Sequence, residues 1–234
     1  MRALLLFGAV TALLCMPAVA VADWSDNFDG YADGTKLYHV GGWTGWDDVE
    51  AAAGTVSSAQ ARSGPHSVVV SNDMGIDCVH PFDPPYTTGA WSFTAHQYVP
   101  SNLDGLTYFI MNNVYNHGGP YQWAIEMHMD PATGMVNEQL RDSGGGNATP
   151  LVYDAWVEIR VDFDLDLDTC DAYYNNVLIA SGTWTSSSYP TLEFANVDLY
   201  APHNVGVYYD DISLVPEPAS CLLLALGVLA LRRR

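Results

Sequence analysis

Apolar and polar residues alternate through the middle of this chain with the period of two that a half-buried strand requires. Between Trp156 and Leu165, Val157, Ile159, Val161, Phe163 and Leu165 fall on one face. Shorter runs of the same kind occupy 67–71, 90–99, 107–111, 123–129, 135–140 and 205–214. The segment Asp130-Pro131-Ala132-Thr133-Gly134 reads as the turn of one hairpin. Asn175-Asn176 reads as the type I′ turn of another, because asparagine tolerates the positive φ that such a turn needs. No helical period appears between Asp23 and Val215. Strands joined by short, Gly-rich connections predict a single all-β domain over 23–214, a two-sheet antiparallel sandwich of jelly-roll type.

The two ends follow a different pattern. Met1-Arg2 precedes an apolar stretch from Ala3 to Met16, and Ala18-Val19-Ala20 and Ala20-Val21-Ala22 are both small-x-small cleavage sites. Residues 1–22 read as a secretory signal peptide. At the other end Pro216-Glu217-Pro218 leads into the apolar run 219–231 and then Arg232, Arg233 and Arg234. The prolines fix φ and lack N–H donors, so the tripeptide is expected to stay extended and accessible, outside any sheet. The apolar run reads as a helix in lipid, shorter than the ~20 residues of a permanent span, and the arginines hold its end on the cytoplasmic side. This tripartite tail, 215–234, resembles the PEP-CTERM sorting signal of Gram-negative bacteria. The resemblance implies a membrane protease of the exosortase type as partner, transient anchoring in the inner membrane, and export to the cell surface or extracellular matrix. An ordinary C-terminal anchor predicts the same topology without cleavage.

Charge narrows the partners. All 27 acidic residues lie from Asp23 to Glu217, where the only basic residues are Lys36, Arg62, Arg141 and Arg160. Nucleic acid and anionic lipid demand a basic face, so both are excluded. Cations, calcium among them, are favoured. Outside the two ends only Cys78 and Cys170 remain, and in an oxidising compartment a Cys78–Cys170 disulfide is expected. There is no Cys-x-x-Cys, nucleophile elbow, His-Glu-x-x-His or phosphate loop.

Several segments carry a second resemblance. Asn27-Phe28-Asp29-Gly30-Tyr31 followed by Gly41-Gly42-Trp43 is similar to the opening of concanavalin A-like (laminin-G-like) jelly rolls of bacterial surface proteins. Tyr208-Tyr209-Asp210-Asp211-Ile212-Ser213-Leu214 is similar to their closing strand. Galactose-binding-like carbohydrate modules close on a similar Asp-Asp strand. The resemblance implies a structural calcium where first and last strands meet, held by Asp29 and Asp210 with Asp211 beside them. By alternation Asp210 shares the core side with Ile212 and Leu214, so it needs a partner. Calcium and a hydrogen-bonded neighbouring loop both stay open. Asp162, Asp164, Asp166 and Asp168 lie too far apart along a straight strand to converge on one ion, and read as a solvated face leading into a turn.

Some concanavalin A-like folds are glycosidases with carboxylates alternating on one strand. Glu126-Met127-His128-Met129-Asp130 is the nearest approach, with Glu126 and Asp130 as candidate acid and nucleophile, but it lacks the second Glu. The polar face of an ordinary strand is the preferred reading. Loop aromatics, Trp43 and Trp46 in one Gly-rich segment and Tyr115, Tyr121 and Trp123 around Gly118-Gly119-Pro120 in another, are candidate platforms for sugar rings. The reading preferred from sequence is a non-enzymatic, exported surface or matrix protein that binds glycan, with association with a biofilm. A glycosidase-like enzyme and a structural coat protein are the alternatives.

Overall fold

The computed structural model describes residues 22–71, 77–139, 147–203 and 205–217. The signal-peptide expectation and the apolar and arginine parts of the tail lie outside these residues. The described chain forms one compact unit of two packed antiparallel sheets. Its strands are β1 (Trp24–Asp26), β2 (Thr44–Gly45), β3 (Thr55–Ser57), β4 (Ser67–Val70), β5 (Asp77–Tyr86), β6 (Ala90–Tyr98), β7 (Thr107–Tyr115) and β8 (Tyr121–Asp130). They continue as β9 (Met135–Glu138), β10 (Thr149–Pro150), β11 (Trp156–Asp164), β12 (Thr169–Tyr174), β13 (Val177–Gly182), β14 (Phe194–Tyr200) and β15 (Val207–Pro216). One sheet runs β13-β12-β11-β6-β15-β4-β3, with β1 also on β15; the other runs β10-β9-β8-β7-β14-β5-β2.

The alternation in β11 works as the sequence requires. Val157, Ile159, Val161 and Phe163 are buried, while Glu158, Arg160, Asp162 and Asp164 face outward. Facing them across the core are Phe109 and Met111 of β7, Ile125, Met127 and Met129 of β8, and Val197 and Leu199 of β14, all fully buried. Burial of each such side chain stabilises the fold by about 1.5–3 kcal/mol. Asn175 and Asn176 both adopt positive φ, 48° and 62°, at the predicted hairpin turn. The aspartate run behaves as a solvated face and turn. Asp162 accepts a bond from Ser92 Oγ at 2.7 Å, Asp164 caps the amides of Asp166 and Leu167, and Leu167 is 72% exposed.

Three expectations are corrected here. No disulfide joins Cys78 and Cys170, both buried. Cys78 lies against Gly54 and close to Val68 of β4, whereas Cys170 lies in β12. Four strand spacings of about 4.8 Å separate β12 from β4, roughly 19 Å, against the Cα separation of under about 7 Å that a disulfide tolerates. Next, the Pro-Glu-Pro segment is not wholly outside the sheet. Pro216 ends β15 opposite Trp91, and the Glu217 N–H donates to the Ala90 carbonyl at 2.8 Å. Finally, Asp210 does not share the side of Ile212. The pairing of β15 with β6 shifts between Asp210 and Ser213, and Asp211 has a φ of 46°. This bulge inserts a residue, so Tyr209 and Ile212 both reach the core and Asp210 turns to the opposite face.

Candidate functional site

The outer face of the seven-stranded sheet carries the site. Alternation sends Phe109 and Met111 of β7 inward, and hence Tyr108 and Ile110 outward. In β14 it sends Val197 and Leu199 inward, and hence Asp198 and Tyr200 outward. Register aligns Glu126 of β8 with Ile110 and Asp198, and the next outward row aligns His128, Tyr108, Tyr200 and Asp77 of β5. A cavity of about 280 Å³ opens above these rows. Asp77, Asp198 and Glu126 supply its carboxyls. Tyr108, Tyr200, Trp123 and Trp46 supply its aromatic walls.

Trp46 comes from the far edge. The turn at Trp46–Asp48 follows edge strand β2 and reaches over β5 and β14 to the β7–β8 hairpin. There the Asp47 N–H donates to the Tyr115 hydroxyl at 2.9 Å. The Tyr121 hydroxyl donates to the Asp47 carboxylate at 2.5 and 2.7 Å, and the Gly118 N–H donates to it at 2.9 Å. These donors hold the Asp47 carboxyl below its ordinary pKa. Asp47 and Asp48 adopt φ values of 55° and 60°, a left-handed backbone that the hairpin contacts stabilise. The Trp46 ring packs 4.9 Å from Tyr115 and 4.8 Å from Tyr121. A second cavity, of about 310 Å³, is lined by Pro81, Asp83, Tyr115, His117 and Glu193 among others. Asn112 and Asn196, paired across β7 and β14 one outward row from Asp198, are fully buried, and neither side-chain atom of Asn196 has a hydrogen-bond partner in the protein.

The cavity's electrostatics are unusual. Asp198 is 2% exposed, and burial, followed by the charge of Asp77, raises its carboxyl well above the ordinary range. Asp77 is lifted to about 6, again by burial, while its hydrogen bond with Asp198 lowers it. Two carboxyls in hydrogen-bond contact share a proton, since both cannot ionise cheaply. Beyond that contact, the Oδ1 atom of each has no partner in the protein. Glu126 Oε1 lies 2.5 Å from His128 Nε2, and His128 packs edge-on to Tyr108 at 4.7 Å.

The fold therefore gathers four of the five aromatics read from sequence, Trp46, Tyr115, Tyr121 and Trp123, around one strap and hairpin. Trp43 is not among them. Gly41 and Gly42, with φ of 61° and 87°, turn it back into the core, where its Nε1–H donates to Asp26 at 3.0 Å. A side chain at position 42 would strike His80, at 2.5 Å from Nε2. Glu126 and Asp130 do not form a catalytic pair. Asp130 caps the β8–β9 turn, accepting from the Ala132 N–H and the Thr133 hydroxyl, both at 2.9 Å. Asp77, Asp198, Tyr108 and Tyr200 were missed from sequence. For Asp198 and Tyr200 the signal was the alternation of Asn196, Asp198 and Tyr200 with Val197 and Leu199.

The calcium candidates occupy the opposite sheet. The Asp210 carboxylate accepts from the Arg62, Ser63 and Asp211 amides at 2.7, 3.2 and 2.7 Å, while Asp29 accepts from the His66 amide at 3.2 Å. Asp211 binds the Arg62 guanidinium at 2.5 Å and the Ser63 hydroxyl at 2.6 Å. Burial pushes the Asp210 carboxyl up, and the three amides pull it back. The loop 62–66 is thus the partner that Asp210 requires. These carboxylates anchor the loop, and among the described residues no three His, Cys, Asp or Glu side chains converge as metal ligands.

No sequence family matches this chain, and no characterised protein matches it in sequence. Its fold matches solved structures. The T. cruzi calreticulin globular domain aligns with a TM-score of 0.55 at 10% identity, over 83% of this chain and 90% of that one. An endo-beta-1,4-glucuronan lyase from the fungus Trichoderma reesei aligns with a TM-score of 0.51 at 10% identity, over 85% and 97%. A sialidase aligns at 0.54 with 7% identity over 85% of this chain, which spans only 19% of that chain. Such identities establish the fold alone, a concanavalin A-like jelly-roll sandwich.

Proposed function

We propose that this is an exported bacterial surface or matrix protein, sorted by a PEP-CTERM tail, whose jelly roll binds glycan without cleaving it. The observation that supports the binding reading most directly is the cavity on the outer face of the seven-stranded sheet. Aromatic faces with a few convergent carboxyls are the lining that sugar rings and their hydroxyls require, and a volume near 300 Å³ suits a small-molecule or single-residue subsite. Biofilm association follows from the matrix destination. Trp123→Ala removes one wall without entering the core, so it should abolish glycan-array signals while leaving the melting temperature within a few degrees. Retention of every array signal in Trp123→Ala would move the function away from this cavity.

One observation favours an enzyme as the second reading. Asp198 is a carboxyl that burial and Asp77 raise well above the ordinary range, in a cavity that also contains Glu126, and perturbed carboxyls in clefts are what acid–base chemistry uses. Release of reducing sugar from a polysaccharide, lost in Asp198→Asn, would establish it.

A further inference from the structure

We infer that the cavity between Trp46, Trp123, Tyr108 and Tyr200 takes a protonated amino group, as carried by an amino sugar with a free amine. The inference rests on the glycan-binding reading and specifies its ligand class.

Three independent features converge on a cation. Asp198 lines the cavity at 2% exposure, and beyond its hydrogen bond with Asp77 no protein donor reaches its Oδ1; Oδ1 of Asp77 beside it is in the same state. A buried polar atom left without a partner is costly, so a donor entering the cavity gains that interaction. The walls are aromatic, and ring faces attract ammonium groups through their quadrupoles. No Lys or Arg among the described residues lines the cavity. Arg62 is bound to Asp211, and Arg160 lies over Tyr173 with Asp162 and Glu158 as partners. The imidazole of His128, beside Tyr108, is bound to Glu126. Uronic and sialic acids would set a carboxylate against Asp77, Asp198 and Glu126 and are repelled. An N-acetylated or neutral sugar brings no charge to satisfy the pair.

The Asp77–Asp198 pair holds one shared proton when empty. An ammonium group donating to both Oδ1 atoms stabilises the doubly ionised pair, and the displaced proton goes to solvent. The groups facing this event are Asp77 from β5, Asp198 and Tyr200 from β14, Tyr108 from β7, Glu126 and His128 from β8, and Asp47 from the strap. Binding near pH 6 should therefore release protons, read as a heat that depends on the buffer.

The test is calorimetry at 0.15 M salt with four tetrasaccharides: glucosamine, N-acetylglucosamine, glucose linked as in cellulose, and galacturonic acid. The glucosamine tetramer should bind at least about tenfold more tightly than the N-acetylated one, the size of a single charge-assisted hydrogen bond. Asp198→Asn and Glu126→Gln should each remove most of that preference. Asp164→Asn, at the outward-facing end of β11 on the other sheet, should keep it. Glu126→Gln carries the test if Asp198→Asn does not fold. A preference that survives both cavity variants is general attraction to an acidic protein and overturns the inference. Tighter binding of the neutral or acidic tetramers, lost in Trp123→Ala, overturns the amine assignment and leaves glycan binding intact. No binding of any tetramer, with a silent glycan array, overturns both.

Discussion

Asp210→Ala tests the reading of the β15 bulge. The wild-type carboxylate is fully buried and accepts three backbone N–H groups, from Arg62, Ser63 and Asp211. Alanine leaves all three without an acceptor. At about 1 kcal/mol for each such loss, the variant should be about 3 kcal/mol less stable. For a domain of this size each kcal/mol moves the melting temperature by about 2–4 °C, so the loss should be about 6–12 °C. Asp210→Asn keeps one carbonyl oxygen for Arg62 and Ser63 but turns an NH2 toward the Asp211 amide, and it should lose about a third as much. Near-UV circular dichroism follows the melt through the buried tryptophans. The same titration examines calcium. With the carboxylates already held by amides, calcium and magnesium at equal ionic strength should raise the melting temperature equally through screening. A drop of under 1–2 °C in Asp210→Ala would refute the amide-anchor argument. A calcium-specific rise abolished by Asp210→Asn would place an ion at this junction.

The raised Asp77 and Asp198 carboxyls bear on stability against pH. Their contribution is complete below the ordinary carboxylate value near 3.8 and is lost as pH rises, through about 6 for Asp77 and well above the ordinary range for Asp198. His80, held neutral by burial at about 4, acts in the opposite sense, gaining stability as pH rises. The clean measurement is therefore the difference between Asp198→Asn and wild type. It should grow in favour of the variant between pH 4 and pH 7, and a flat difference would contradict the shared-proton reading. Burial pushes the Cys78 thiol up to about 12, so thiol reagents should react with Cys78 and Cys170 only on unfolding; a non-reducing peptide map linking the two would refute this. Intact mass of protein from its native host should lack residues 1–20 and everything after about Pro218, whereas Arg232–Arg234 retained on surface-exposed protein would leave a plain anchor.

Legibility in the sequence followed locality. β11 and the Asn175-Asn176 turn were legible because their signals sit within a few residues. β5 shows no alternating signal because Pro81, Pro84 and Pro85 interrupt it; the strand tolerates them beside short edge strand β2, with its pairing to β14 shifting between Phe194 and Asn196. Asp210 was assigned to the wrong face because strict alternation allows for no inserted residue. The strap could not be read at all. Trp46 and Tyr115 are both visible as loop-flanking aromatics, but only the order β7-β14-β5-β2 brings the edge turn across two strands to meet the hairpin. Asp77 and Asp198 likewise meet only through the pairing of β5 with β14.

The place of β15 in its sheet also orders events in time. It lies between β6 and β4, with β1 on it as well, so the eight-stranded sheet is in three pieces until β15 arrives. Yet β15 is the last of the described strands to be synthesised. A chain leaving the ribosome from its N-terminus therefore cannot complete this sandwich early. Closure waits on contacts between residues nearly two hundred positions apart, such as Trp24 with Leu214, and such distant closures are slow. Until almost all of the domain has been made, this sheet stays open at its centre.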